Sequence, residues 1–342
     1  MRAIVVHPSF DAVWPLAADY FQKLWERDAV PLEFVRLAPD DPRPVSEALA
    51  SPRDVEQLVC LGAPLTDACL DRLSSLKEAV FEPAISAERR RALEAKGTAI
   101  YTHTSEGYWA QSVAECALGL TIAALRRIPH LHRRMTESLE PWDYSPKADE
   151  SGRMVRGQQF CDDLRFVHGT IAEKRVRIVG AGNIGSRFAS FARMLGADVA
   201  AWDPYASDPC FHRSGARREW HLDRLAMDAE IFLPMVPLTS GTRGLVGADI
   251  IDLLPTGCLV VLVTRAAVCD MNALRRRVLA DELALAADVF DVEPLPLGDP
   301  LLGRHNVVHT PHIAGRTEHA NRMWAEALAA RFRRPGPPAA PK

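Results

Sequence analysis

From Ala3 onward the chain alternates short apolar runs with helix-sized amphipathic stretches. AIVVH, VWPLAADYFQKLWER, PLEFVRL, VEQLVCLG, LDRLSSLKEAV and TAIYTH fill the first hundred residues. Strands alternating with helices at this spacing predict a parallel sheet, because parallel neighbours need a crossover long enough to hold a helix. A second series starts at Arg175, with VRIVG, DVAAWD, AEIFLPMV, CLVVLV, LALAADVF and NVVHT as its strands. Between them, SVAECALGLTIAALRRIPHLHRRM predicts a long apolar helix joining two domains, with Ser112 and Glu115 at capping-box spacing. Residues 141–165 are polar, contain proline and glycine and lack a period, which predicts an extended surface loop. The ending RFRRPGPPAAPK is proline-rich and predicts a frayed terminus. The fold class expected is α/β, with two doubly wound parallel sheets.

Composition narrows the setting. A chain of 342 residues, 48% hydrophobic and 25% charged, is long enough for two domains with real cores. Lysine and arginine total 41 against 44 acids, a net charge of -3, so the whole chain carries no pull toward nucleic acid or anionic lipid. The arginine runs at 89–91, 133–134 and 275–277 fall in helical stretches and read as solvated faces. Seven cysteines (Cys60, Cys69, Cys116, Cys161, Cys210, Cys258, Cys269) are scattered, with no C-x-x-C pair. That pattern argues against a disulfide framework or a metal site and for a reducing compartment. MRAIVVHPSF meets Pro8 too early for a secretory core, and no run reaches the ~18 apolar residues of a membrane span. A cytoplasmic protein is expected.

The segment RVRIVGAGNIGSRFASFARMLGADVAAWD sharpens the reading. It orders a strand, Gly180-x-Gly182-x-x-Gly185, an amphipathic helix closed by Gly196, and a second strand ending at Asp203. In this context the first glycine serves a tight turn, the second a close approach to a pyrophosphate, and the third close helix–strand packing. The amides near Asn183 and Ile184 open a helix N-terminus toward phosphates. Asp203, 18 residues beyond Gly185, is placed to accept hydrogen bonds from an adenosine ribose and to repel a 2'-phosphate. NAD, with NADH preferred over NADPH, is the cofactor expected. The bland alternative is a glycine turn that binds nothing.

Reducing a 2-oxo acid needs a cation for the carboxylate, a proton donor for the new hydroxyl, and a group that tunes the donor. Arginine holds a carboxylate bidentately, histidine exchanges protons near neutrality, and a carboxylate orients the ring. Arg265, Glu293 and His312 each follow one of three successive strands, on the edge where parallel sheets bind ligands. Singly, each has a dull reading, as a helix cap, a surface charge and a loop residue. In VHTPHIAG, His309 lies within the strand and reads as packed or hydrogen-bonded; His312 follows Pro311 at its end.

GAGNIG, AWDPY, MVPLTSGTRGLVG, VTRAAVCDMNAL, ADVFDVEPLPLGDPLL and NVVHTPHIAGRTEHA, in this order, resemble the NAD-dependent D-2-hydroxyacid dehydrogenase family, from about Ser112 to Ala320. The resemblance implies a Rossmann-type NAD domain, residues 109–313, inserted into a flavodoxin-like substrate domain of residues 1–108 and 314–342. It implies that Arg265 binds the substrate carboxylate, Glu293 pairs with the catalytic histidine, and His312 is the acid/base. It places Asp288 on the nicotinamide carboxamide and Val236 and Pro237 on the adenosine side, with Thr264 also at the cofactor. The helix beginning at Ser112 resembles the family's dimerisation helix and implies a homodimer acting on a small carboxylate substrate. Departures accompany it. Ala266 and Leu262 replace the usual glycine and asparagine, and FEPAISAERRRALEAKG lacks the glycine of the family's substrate loop. Ala84, Ile85, Ser86 and Tyr108 are the substrate candidates from alignment of that region. Two other readings stay open: a regulatory NAD-binding protein of the same fold without turnover, and a dehydrogenase of another small anion such as phosphite. The formate-oxidising branch has glutamine where Glu293 stands.

Overall fold

A computed structural model describes residues 1–103, 107–143, 145, 148–154 and 162–333. Cys161, much of the expected 141–165 loop and the proline-rich ending from 334 lie outside the described residues. In chain order the elements are β1 (Arg2–Val6), α1 (Pro8–Asp11), α2 (Ala17–Trp25), β2 (Leu32–Arg36), α3 (Val45–Ala48), β3 (Gln57–Leu61), α4 (Asp67–Arg72), β4 (Glu78–Glu82), α5 (Ala87–Ala95) and β5 (Ala99–Tyr101). They continue with α6 (Ala110–Leu125), α7 (Ile128–Glu137), β6 (Arg175–Val179), α8 (Asn183–Met194), β7 (Asp198–Trp202), α9 (Asp208–Ser214), β8 (Arg217–Arg218) and α10 (Leu222–Met227). The last are β9 (Ile231–Pro234), α11 (Ala248–Leu253), β10 (Leu259–Leu262), α12 (Met271–Leu279), β11 (Ala284–Ala287), β12 (Val307–His309) and α13 (Glu318–Ala329). The chain divides into two units, Met1–Trp109 with Arg316–Lys342, and Ala110–Gly315.

Unit 1 is a parallel sheet ordered β2-β1-β3-β4-β5. Beyond their first residues, Arg2, Gln57 and Glu78, the central strands β1, β3 and β4 are mostly apolar because each face meets a different core, as parallel strands covered on both sides require. Ala3, Val5, Leu58 and Cys60 point to one cluster, with Val45, Leu70 and Leu93. Ile4, Val6, Val59 and Leu61 point to the other, with Phe21, Trp25 and Trp324. Helix α13 packs on α2, and its Trp324, 1% exposed, meets the rings of Phe10 and Phe21, so the last described helix completes the unit that the first residues begin. The stretch LDRLSSLKEAV divides: its start finishes α4 and its end opens β4, and a turn separates them.

Unit 2 is a seven-stranded parallel sheet ordered β12-β11-β10-β9-β6-β7-β8. The short edge strand β8 carries only Arg217 and Arg218, too polar to stand out in the sequence. The long apolar helix is in fact two, because Arg127 adopts a left-handed φ of 51° between α6 and α7. Ser112 does not cap it. The helix starts at Ala110, so Ser112 lies in its first turn, buried, and its Oγ donates to the carbonyl of Ala314 at 2.5 Å.

Candidate active site

The glycine loop of unit 2 is built by steric demand. Gly180, after β6, has φ +106°, and a Cβ there would lie 2.8 Å from Cγ1 of Val236. Around Gly182 nothing lies within 4 Å of a Cβ, so the backbone faces open space. Gly185, in the first turn of α8, would bring a Cβ to 2.0 Å from the carbonyl oxygen of Gly180. Gly182 is the N-cap of α8 and supplies no side-chain cap to the turn formed by Asn183 and Ile184. A tight turn, an open approach and a close helix–strand contact therefore occur in the order a bound pyrophosphate requires, and the loop fits a dinucleotide.

Asp203, just past β7, braces this loop. Its Oδ2 accepts from the amide of Ala181 at 2.8 Å, and Oδ1 accepts from the amides of Tyr205 and Ala206 at 2.9 and 3.0 Å. Val236 is buried beneath Gly180, while Pro237 is exposed and its carbonyl accepts from the Thr242 hydroxyl at 2.5 Å. Thr264 is buried and donates to the carbonyl of Pro234 at 3.1 Å, which ties β10 to β9 and commits its hydroxyl internally.

The three candidate chemical groups lie close together at the carboxyl ends of β10, β11 and β12. His312 Nδ1 lies 2.7 Å from Glu293 Oε2, and Glu293 Oε1 accepts from the amide of Phe290 at 2.8 Å. Burial alone would raise the Glu293 pKa. The hydrogen bond from His312, the Phe290 amide and the charges of His312 and Arg265 outweigh it and hold the carboxyl below its ordinary 4.5. Arg265 is exposed and spends one Nη1 bond on the carbonyl of Thr264 at 2.7 Å. With Nδ1 committed to Glu293, the imidazole presents Nε2 for proton exchange. Ala266 is absent from the left-handed positions and packs into the core, so the methyl that replaces the usual glycine brings no backbone strain; Leu262 is likewise fully buried.

His312 itself has φ 55°, a left-handed conformation uncommon for a side-chain-bearing residue. Asp288 holds it there. Fully buried, it accepts from the Thr310 hydroxyl at 2.6 Å and the Ile313 amide at 2.9 Å through Oδ1, and from the Ala314 amide at 2.8 Å through Oδ2. The residue expected at the nicotinamide therefore clamps the backbone on both sides of His312, and Ser112 grips the same loop at Ala314. Asp288→Asn turns one acceptor toward a backbone N–H and should cost about 1–3 kcal/mol in urea unfolding. Unchanged stability would show that the three bonds do not anchor the loop. His309 is not packed. It ends the edge strand β12 and is exposed, with its ring 6.4 Å from that of Phe290.

In unit 1 the substrate candidates scatter. Ser86 caps α5 by accepting from the Arg89 amide at 3.3 Å, Ile85 packs against the core, and Ala84 is exposed. The Tyr108 ring meets that of His103 in a tilted contact, centroids 4.3 Å apart, and that of Trp14 edge-on at 5.4 Å. Among the described residues there is no cluster of three metal-ligating side chains and no helix long and apolar enough to cross a membrane; the six described cysteines are free.

Comparison with known proteins agrees with this geometry. The family model for the D-isomer specific 2-hydroxyacid dehydrogenase NAD binding domain matches residues 118–314. The glyoxylate reductase of Thermofilum pendens is 30% identical over 302 residues, 85% of this chain and 81% of that protein. The D-3-phosphoglycerate dehydrogenase of Methanocaldococcus jannaschii is 29% identical over 224 residues, 65% of this chain but 38% of its own length. The chain thus spans well under half of such phosphoglycerate dehydrogenases. A solved D-lactate dehydrogenase of Treponema pallidum shares the fold with a TM-score of 0.70, at 21% identity over 96% of this chain and 95% of that one. The NAD-complexed D-isomer specific 2-hydroxyacid dehydrogenase of Lactobacillus delbrueckii ssp. bulgaricus does so at 0.71, with 16% identity over 96% of this chain and 95% of that one. With a glycine loop shaped for NAD and most of its nucleotide unit matched, the chain belongs to the D-isomer specific 2-hydroxyacid dehydrogenase family.

Proposed function

We propose that this protein is an NAD-dependent oxidoreductase interconverting a small 2-oxo acid and its D-2-hydroxy acid. The observation that carries the reading is the His312–Glu293 pair at 2.7 Å with the Arg265 charge beside it, in the unit that holds the glycine loop. Arg265 binds the substrate carboxylate and polarises the adjoining carbonyl. His312 gives the carbonyl oxygen its proton from Nε2, and Glu293 stabilises the ring in its protonated form. NADH, when bound, supplies the hydride. Gly180, Gly182, Asn183, Ile184 and Gly185 hold its pyrophosphate, and Asp203 its adenosine ribose. Retention of Arg265, Glu293 and His312 together favours turnover over a binding-only role.

The test follows NADH loss with glyoxylate, hydroxypyruvate, pyruvate and branched or aromatic 2-oxo acids. Turnover of at least one is expected; none, with NADH binding intact, would overturn the reading. The negative charge of Asp203 beside the loop sets NADH above NADPH. Asp203→Ala should narrow the NADH-to-NADPH ratio of kcat/KM by ~10-fold or more, the scale of one charge-assisted hydrogen bond. We place the homodimer surface on α7 rather than on the buried face of α6. No α7 residue is buried in the single chain, and Ile128, Met135 and the following Leu139 are exposed.

A further inference from the structure

The parallel neighbours β11 and β12 are joined by residues 288–306, which form neither helix nor strand. Such a crossover usually carries a helix, whose own hydrogen bonds would fix it. Here, among the described residues, residues 289–295 make no hydrogen bond from main chain to main chain. Yet this segment delivers Glu293 to His312 at 2.7 Å. The Phe290 amide bonds Glu293 itself and the Phe290 ring packs on the core, but neither fixes the chain beyond that point. Side chains must hold the rest.

One side chain holds both ends. In the sequence the run 275–277 reads as a solvated face, but of the three arginines only Arg276 is exposed, and Arg277 is buried on the carbonyls of Ile251 and Leu254. The Arg275 side chain, 16% exposed, turns toward the crossover. Its Nε and Nη2 donate to Asp291 Oδ1 at 3.2 and 2.7 Å, and its Nη1 donates to Asp299 Oδ1 and Oδ2 at 3.0 and 2.9 Å. Asp291 stands two residues before Glu293 and Asp299 six after it, so one guanidinium closes the loop that carries the acid. A planar fork can span two carboxylates in this way. Its base is firm: Asp270 caps α12 through the Ala273 amide at 3.0 Å, and Met271, Ala273, Leu274 and Val278 lie in the core. Asp299 Oδ1 also accepts from the amide of the buried Leu301 at 2.9 Å, whereas Asp291 has no partner but Arg275 among the described residues.

We propose that Arg275 is a positioning residue for the acid/base pair: by closing both ends of the 291–299 loop on α12, it sets the contact between Glu293 and His312. Freed at Asp291, Glu293 is held only by the Phe290 amide and by His312 itself, and its carboxylate spends part of the time away from the ring. The ring then loses the charge that stabilises its protonated form. Arg265 follows β10, outside this loop, so its hold on a carboxylate is spared. The role in turnover rests on the oxo-acid reading; the coupling of Arg275 to the pair does not.

The test compares Arg275→Met and Asp291→Ala with the wild type in two arms. With the best 2-oxo acid, each variant should lower kcat ~10-fold or more and leave KM within about 2-fold. The alkaline limb of kcat/KM for reduction should move to lower pH. The second arm needs no turnover. Histidine ring carbons are isotopically labelled in the full chain, the His312 signal is identified by its loss in His312→Ala, and its titration midpoint is followed by NMR. Both variants should lower that midpoint by ~0.5 pH unit or more. The shared direction is what separates positioning from field, because Arg275→Met removes a positive charge and Asp291→Ala a negative one, while the other charges around the pair, Arg265 and Asp288, are unchanged. Midpoints that move in opposite directions overturn the proposal. So do midpoints that stay at the wild-type value, even if both variants melt early, since Arg275 would then support only the fold. Midpoints lowered in both uphold it whether or not an oxo acid is reduced. If Arg275→Met does not fold, the double variant Arg275→Met/Asp291→Ala replaces it, removing both charges at once: a midpoint as low as in Asp291→Ala upholds the proposal, and a wild-type midpoint overturns it.

Discussion

Replacing His312 with alanine should lower kcat/KM for the best 2-oxo acid by ~10³-fold, within the range that a positioned acid/base group contributes, and leave NADH affinity unchanged. The two readouts separate because the imidazole belongs to the TPHIAG loop, held by Asp288 and Glu293, whereas the dinucleotide cradle is built by Gly180, Gly182 and Gly185 after β6. Activity undiminished in the variant would remove His312 from the mechanism. The Glu293→Gln variant should fall less far, because the ring keeps a hydrogen-bond partner but loses the charge that stabilises its protonated form. The pH sign follows from the depressed Glu293 pKa. A carboxyl whose folded value lies below its unfolded 4.5 contributes stability that is present above 4.5 and lost as pH falls through the lower folded value. Melting temperature should therefore lose this contribution only in the acid range, and Glu293→Gln should flatten that part of the profile.

What could be read from the sequence divides along physical lines. Short continuous apolar runs marked the strands of both sheets apart from β8, because a parallel strand covered on both faces is buried residue after residue: Ala3 and Val5 face one core and Ile4 and Val6 the other. The glycine fingerprint was legible because its demands are local to one turn and one helix start. Capping at Ser112 was misleading: the residues spell the motif, but the helix begins two residues earlier and the hydroxyl turns to a carbonyl 202 residues away. Asp288 was placed at the cofactor because its motif says so, whereas its bonds depend on where the amides of Ile313 and Ala314 come to rest, which no local pattern encodes. His309 looked packed because it continues an apolar run, yet β12 is the sheet's edge.

Gly185→Ala and Gly182→Ala should separate fold from cofactor binding. At Gly185 the new methyl would sit 2.0 Å from the Gly180 carbonyl oxygen, a backbone atom that no rotamer change can move. Nor can Gly180 retreat freely, because a Cβ-sized space on it is already closed by Val236 Cγ1 at 2.8 Å and the Met235 backbone at 3.2 Å. Helix α8 must withdraw from β6, and Phe188 and Ala189, fully or almost fully buried on its inner face, withdraw with it. The expected cost is about 3 kcal/mol or more in urea unfolding, at the upper end for overpacking, together with loss of NADH binding because the first turn of α8 no longer reaches the loop. At Gly182 a methyl meets nothing within 4 Å, so stability should stay within about 0.5 kcal/mol of the wild type. NADH affinity should nonetheless fall ~10-fold or more, since the open space that the methyl enters is where the backbone must approach the pyrophosphate. Equal loss of stability in the two variants would contradict the steric assignment, and an unchanged affinity in Gly182→Ala would move the pyrophosphate away from this turn.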